Sequence, residues 1–142
     1  MQYACLVHVD GAALTALSKE EQARLTDETI AHDWELRRNN QLILARPLQP
    51  PASAAIVRVR GGRATVTDGP YTEAKEFLGG FLIVEAEDMA AAVAIAGACP
   101  MARFGSIEVR PLLVQTHSVT GEARPLFEVC GYSSPSNSAV DR

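Results

Sequence analysis

Two runs, "YACLVHV" at 3–9 and "GGFLIVEA" at 79–86, are rich in strand formers and apolar at odd and even positions alike. A strand wet on one face alternates; one apolar on both is covered on both. The rest of the chain offers two helical segments, and two helices can cover only one face of a sheet. The second face needs another cover, and another copy of the chain is the simplest one. The strands therefore predict a homodimer with sheet facing sheet.

The helices carry their own signals. In "ALSKEEQARL" Ser18 and Glu21 have the spacing of a capping box, and Glu20 and Glu21 sit at the positive end of the helix dipole. This helix is expected over 19–38, with Leu25, Ile30, Trp34 and Leu36 as an imperfect apolar stripe and Asn39–Asn40 as its stop. "EDMAAAVAIAGAC" is the second, with Met89, Ala92, Val93 and Ala96 on one face and Pro100 beyond its end.

Between and around them lie the remaining strands. "QLILARPL" is one. "SAAIVRVRGG" and "RATVTD" pair across Gly61–Gly62 as a hairpin. "GSIEVRPLLV" sets Ile107 and Val109 on one face and Ser106, Glu108 and Arg110 on the other. The order β-α-β, hairpin, β-α-β predicts an α+β, ferredoxin-like split βαβ with an added hairpin, which pairing of two copies makes a dimeric α+β barrel. The domain is expected over 1–114. The extension at 115–142, which ends in "YSSPSNSAVDR", is expected to be largely flexible, with "PLFEVCGY" as a candidate extra strand.

Composition excludes several functions. The net charge is −4, and no basic run exceeds Arg37–Arg38, against what nucleic-acid binding needs. No stretch approaches a membrane span, and the N-terminus has no signal-peptide pattern, so a cytoplasmic protein is expected. Cys5, Cys99 and Cys130 are far apart and form no CxxC pair; His8, His32 and His117 share no ligand spacing. No metal site and no cofactor follow. G-x-S-x-G, the P-loop and G-x-G-x-x-G are all missing from the sequence.

The segment "TDGPYTEAKEFLGGF" at 67–81 is similar to the DGPF-domain family, part of the YCII-related proteins. "DGPY" stands for its Asp-Gly-Pro-aromatic signature, and "TEAKEFLGGF" for its E-x-K-E-x-x-G-G-aromatic continuation. "LQPPASAAIVRVRGG" and "CPMARFGSIEVRPL" resemble its flanking segments, and "HDWELRRNNQLILARPLQPP" resembles its passage from first helix to second strand. The similarity runs over about residues 1–114. It implies the dimeric α+β barrel with a pocket between sheet and helices, and genes beside extracytoplasmic-function sigma factors, hence a regulatory or signalling alternative with a sigma-factor partner. Related YCII-like enzymes have a proposed catalytic His–Asp pair. An ungapped reading finds Thr29 in place of that histidine and Cys99, before Pro100, in place of that aspartate, so this chemistry is not carried over.

The candidate residues have two readings each. Asp68, Gly69 and Pro70 read first as turn chemistry. Glu73, Lys75 and Glu76 are either a salt-bridged clamp on that turn or the rim of a pocket for a small polar ligand; Asp68, Glu108 and Arg110 join them as ligand-binding candidates. His8 shares a strand face with Ala4 and Leu6, and reads as a core or interface residue before a catalytic one. His32 and Asp33 are neighbours on a helix and point about 100° apart, so they form no dyad by themselves. Asp33 falls where the resembled family commonly has an acidic residue, and is the leading pocket candidate. The expected function is small-molecule binding or cofactor-independent acid–base catalysis by Asp33, with His8 or His32 nearby.

Overall fold

The computed structural model describes residues 1–69 and 74–125. The chain divides into two compact units, Met1–Leu112 and Leu113–Arg142, the second described through Pro125. The first holds β1 (Gln2–Asp10), α1 (Gly11–Thr15), α2 (Lys19–Arg38), β2 (Leu42–Pro47), β3 (Ala55–Arg60), β4 (Arg63–Asp68), β5 (Glu76–Glu85), α3 (Met89–Ala98) and β6 (Gly105–Pro111), with single 3-10 segments at Pro51–Ser53 and Pro100–Phe104. The second unit holds an isolated bridge between Thr116 and Ala123.

Four strands form an antiparallel sheet in the order β2-β5-β1-β6. This is the ferredoxin-like arrangement, and β3–β4 is the added hairpin, a separate two-stranded sheet. Its turn is Gly61–Gly62, with φ of 55° and 74°, as a two-residue hairpin turn requires.

β1 is central, and its alternation sorts the sheet. Tyr3, Cys5, Val7 and Val9 are buried with Leu82 and Val84 of β5 against Leu36 of α2 and Ala92, Ile95 and Ala96 of α3. Burying side chains such as Leu82 and Val84 contributes about 1.5–3 kcal/mol each. The other face carries Ala4, Leu6 and His8 of β1, Phe81 and Ile83 of β5 and Leu44 of β2, all half-buried in the single chain. No helix of the described residues lies on this face within the core cluster.

A bulge interrupts β5. Val7 pairs with Gly80 and His8 with Leu78, so Gly79 is the extra residue. Side-chain parity changes there. Phe77 packs on the helix-covered core, while Leu78 and Glu76 join the other face.

The helix ends follow the sequence. Ser18 Oγ accepts from the Glu21 N–H at 3.1 Å, and Glu21 Oε2 accepts from the Ser18 N–H at 2.8 Å, a complete capping box. Asn39 caps the other end, and Asn40 takes φ of 57°. The helix faces need correction. Ile30 and Trp34 are exposed, and α2 buries Leu25 and Leu36. In α3 Met89 and Val93 are exposed, while Ile95 lies inward beside Ala92 and Ala96. A helix apolar all round gives no periodicity from which to choose its face. A third helix, α1, was not expected; Asp10 caps it by accepting from the Ala12 and Ala13 N–H groups.

Among the described residues no helix is long and apolar enough to cross a membrane.

Candidate functional site

A cavity of about 530 Å³ opens between the sheet and α2, in the size range of small-molecule sites. Val7, Val9 and Leu82 form its floor on the helix-covered face of the sheet, and Leu25, Ile30 and Met101 close its sides. Gly79 and Gly80 bring the β5 backbone to its edge.

Its polar side chains come mostly from α2. Gln22, Thr26, Thr29 and Asp33 stand at i, i+4, i+7 and i+11, one face of the helix, and all line the cavity. Thr15 adds a hydroxyl from α1. Cys99, at the end of α3, reaches the same space.

Asp33 is the carboxyl on this lining. Burial pushes its pKa above the ordinary carboxylate value, and the neighbouring His32 partly opposes the shift. Neither ring nitrogen of His32, both buried, has a hydrogen-bond partner among the described residues. Cys99 is buried, and its thiol is held above the ordinary range, chiefly by desolvation and further by the charge of Asp33. Thr29 and Cys99, the substitutes for the resembled family's His and Asp, thus share one cavity with Asp33.

The other candidates lie elsewhere. His8 belongs to the face of β1 away from the helix-packed core, so the sheet itself stands between it and Asp33. There it faces Ser106 across the strand pair, and its Nε2 is 3.9 Å from Glu108 Oε2. Arg110 Nε is 3.6 Å from Glu108 Oε1. Ser106 Oγ donates to Glu76 Oε2 at 2.8 Å. Lys75 Nζ is 3.8 Å from Asp10 Oδ2, the carboxylate that caps α1. Exposed pairs of this kind contribute about 0–1 kcal/mol each. The structure therefore gathers His8, Glu76, Glu108 and Arg110 into a polar cluster on the sheet face opposite the cavity. Asp68 ends β4, and Gly69 follows it with φ of 100°. Pro70, Tyr71 and Glu73 lie outside the described residues, as do Cys130 and all of "PLFEVCGY" after Pro125.

Among the described residues no group of His, Cys, Asp and Glu could hold a metal ion. Sequence reasoning picked Asp33 and missed Thr15, Gln22 and Thr26. The signal for the last two was present as polar residues at helical spacing, on the face that also carries Leu25 and Leu36.

An uncharacterised protein of Rhizobium meliloti (strain 1021) is 34% identical to this chain over 114 residues, which is 79% of the chain and 92% of that protein. Among solved structures, the chain is similar to 5-chloro-2-hydroxyhydroquinone dehydrochlorinase (TftG) from Burkholderia phenoliruptrix AC1100, in its complex with 2,5-dihydroxybenzoquinone. That likeness has a TM-score of 0.48 at 16% identity, covers 80% of this chain and 94% of the other, and carries no chemistry across. The family model of the YCII-related domain matches residues 1–115, and with most of its length so matched the chain belongs to the YCII-related family.

Proposed function

We propose that this protein binds a small molecule in the cavity between sheet and helices, or acts there as a cofactor-independent acid–base enzyme, with Asp33 as the residue that meets the ligand. One observation carries the reading: among the described residues, a single carboxyl on the wall of a mainly apolar hollow of about 530 Å³, its pKa raised by burial. A carboxyl desolvated in this way is a stronger base than one in water, and can take a proton from a bound molecule. His32 is the adjacent imidazole, close enough for its charge to act on Asp33. His8 has no part in this chemistry on the present reading.

The reading includes a homodimer. Leu6, Phe81, Ile83 and Leu44 leave a half-buried apolar area on the sheet face away from the helices. A second copy covers it most simply, and brings two polar clusters of His8, Glu76, Glu108 and Arg110 to the interface.

Mass spectrometry of the protein purified under native conditions tests the site. A small molecule should be released on denaturation of the wild type and be missing from Asp33→Asn. Release of the same molecule in equal yield from both would remove Asp33 from the site. An empty wild type that also takes up no member of a small-molecule library would count against the binding role itself.

A further inference from the structure

The hydrogen-bonding character of the cavity is unusually one-sided. A threonine hydroxyl has a single proton, and a glutamine amide has two. Thr15 Oγ1 donates its proton to the Gly11 carbonyl at 2.8 Å. Thr26 Oγ1 donates to the Gln22 carbonyl at 3.1 Å, and Thr29 Oγ1 to the Thr26 carbonyl at 2.8 Å. Gln22 Nε2 is directed at the carbonyls of Leu14 and Leu17, at 3.2 and 3.3 Å. Each of these side chains lines the cavity, and each has committed its protons to the backbone. What they have left for a ligand is lone pairs, and Asp33 adds a carboxylate.

Among the described residues, side-chain donors on the lining are few. The Cys99 thiol is a weak one. Arg46 touches the cavity, but β2 pairs Ala45 with Leu82 and Arg46 with Phe81, so alternation turns the Arg46 side chain toward the other face of the sheet. Its Nη1 donates to the Ala45 carbonyl at 2.6 Å. A ligand acceptor placed among these oxygens would leave both sides unpaired, and an anion would also meet Asp33. A cation would give up its hydration to a mostly apolar wall with a single carboxyl to compensate.

We infer that the cavity selects an uncharged, mainly apolar molecule that presents a hydrogen-bond donor, a hydroxyl or an N–H, to Asp33 and the oxygens of Thr26 and Thr29. This inference rests on the cavity being a small-molecule site. It adds the class of ligand, and states it as an excluded set: anions, and neutral molecules with acceptors alone.

Four probes of nearly one shape test it: naphthylmethanol, its methyl ether, naphthoate and naphthylmethylamine, titrated into the full chain by calorimetry at neutral pH. A hydrogen bond to a charged group is strong enough for about a tenfold preference or more. Naphthylmethanol should therefore bind about tenfold tighter than its ether, and naphthoate weakest of all. Asp33→Asn should shrink the alcohol–ether gap to a few-fold and bring naphthoate closer to the other two. Thr29→Val, which removes one oxygen and leaves Asp33 in place, should reduce the same gap severalfold and serves if Asp33→Asn fails to fold. Equal binding of alcohol and ether, tightest binding of naphthoate, or tightest binding of the amine would each overturn the inference while leaving a small-molecule site. No binding of any probe would overturn the site and the inference together.

Discussion

Gly69 tests whether the Asp68-Gly69 turn is held by backbone conformation. Its φ of 100° lies outside the regions open to residues with a Cβ, and a Cβ built there would meet nothing within 4 Å. Gly69→Ala therefore adds no clash and no packing, only backbone strain. Strain of this type costs about 1–3 kcal/mol. A stiffer unfolded chain returns about 0.4–1 kcal/mol. The net expectation is a loss of about 1–2 kcal/mol, larger for Gly69→Val because of its branched Cβ. Gly97 supplies the control: it lies in α3, a Cβ there also meets nothing within 4 Å, and its φ is outside the positive range. Gly97→Ala makes the same chemical change and should stabilise by about 0.5–1 kcal/mol. Urea unfolding of the three proteins, with m unchanged, reads both effects as shifts of the midpoint in opposite directions. If Gly69→Ala moves the midpoint upward, as Gly97→Ala should, the turn tolerates a Cβ and the conformational argument is wrong.

Asp33→Asn has a predicted pH signature. The folded pKa of Asp33 is raised, so its contribution to stability is complete below the unfolded value and is lost as pH rises through the folded one. The asparagine variant should gain on the wild type across that window and keep the gain at neutral pH; a variant clearly less stable than wild type at neutral pH would make Asp33 a structural carboxylate. Cys5 is pushed up to about 11 by burial, so its thiolate form is suppressed at neutral pH and the stability tied to the protonated thiol is lost as pH rises from about 9 toward about 11. Alkylation of Cys5 in the native protein should then be slow and limited by the population of opened molecules, and rapid labelling at neutral pH would contradict this. Leu6→Asp on the sheet face away from the helices should convert a dimer to a folded monomer by light scattering, and a wild type already monomeric at micromolar concentration would refute the dimer.

What could be read from the chain was whatever local chemistry decides. Ser18 with Glu21, Gly61–Gly62, and the alternation of Ile107 and Val109 with Glu108 and Arg110 each have a fixed local signature, and each appears as expected. The face of α3 did not, because Met89, Val93 and Ile95 differ little in hydrophobicity and only the sheet decides which of them turns inward. α1 is a single capped turn, and Asp10–Gly11 looks the same in sequence as an ordinary turn. The site was partly legible. Asp33 was singled out through resemblance, but its separation from His8 depends on which strand face packs on α2, a tertiary fact. The lone pairs of Thr26 and Thr29 depend on hydroxyl partners that sequence does not specify.

The bulge at Gly79 gives β5 two reading frames. From Gly80 to Val84 the even-numbered residues face the cavity side; before the bulge the odd-numbered Phe77 does. Carried through with Gly79 paired regularly instead of bulged, the first frame would turn Glu76 toward the helices, on the side of Asp33. Two carboxyls would then stand on that side of the sheet. Shifted by one position, Glu76 instead meets Ser106 on the far side of the sheet. That Glu76 keeps to the far side from Asp33 is thus a matter of phase, set by a bulge at one glycine more than forty residues from Asp33 in the chain.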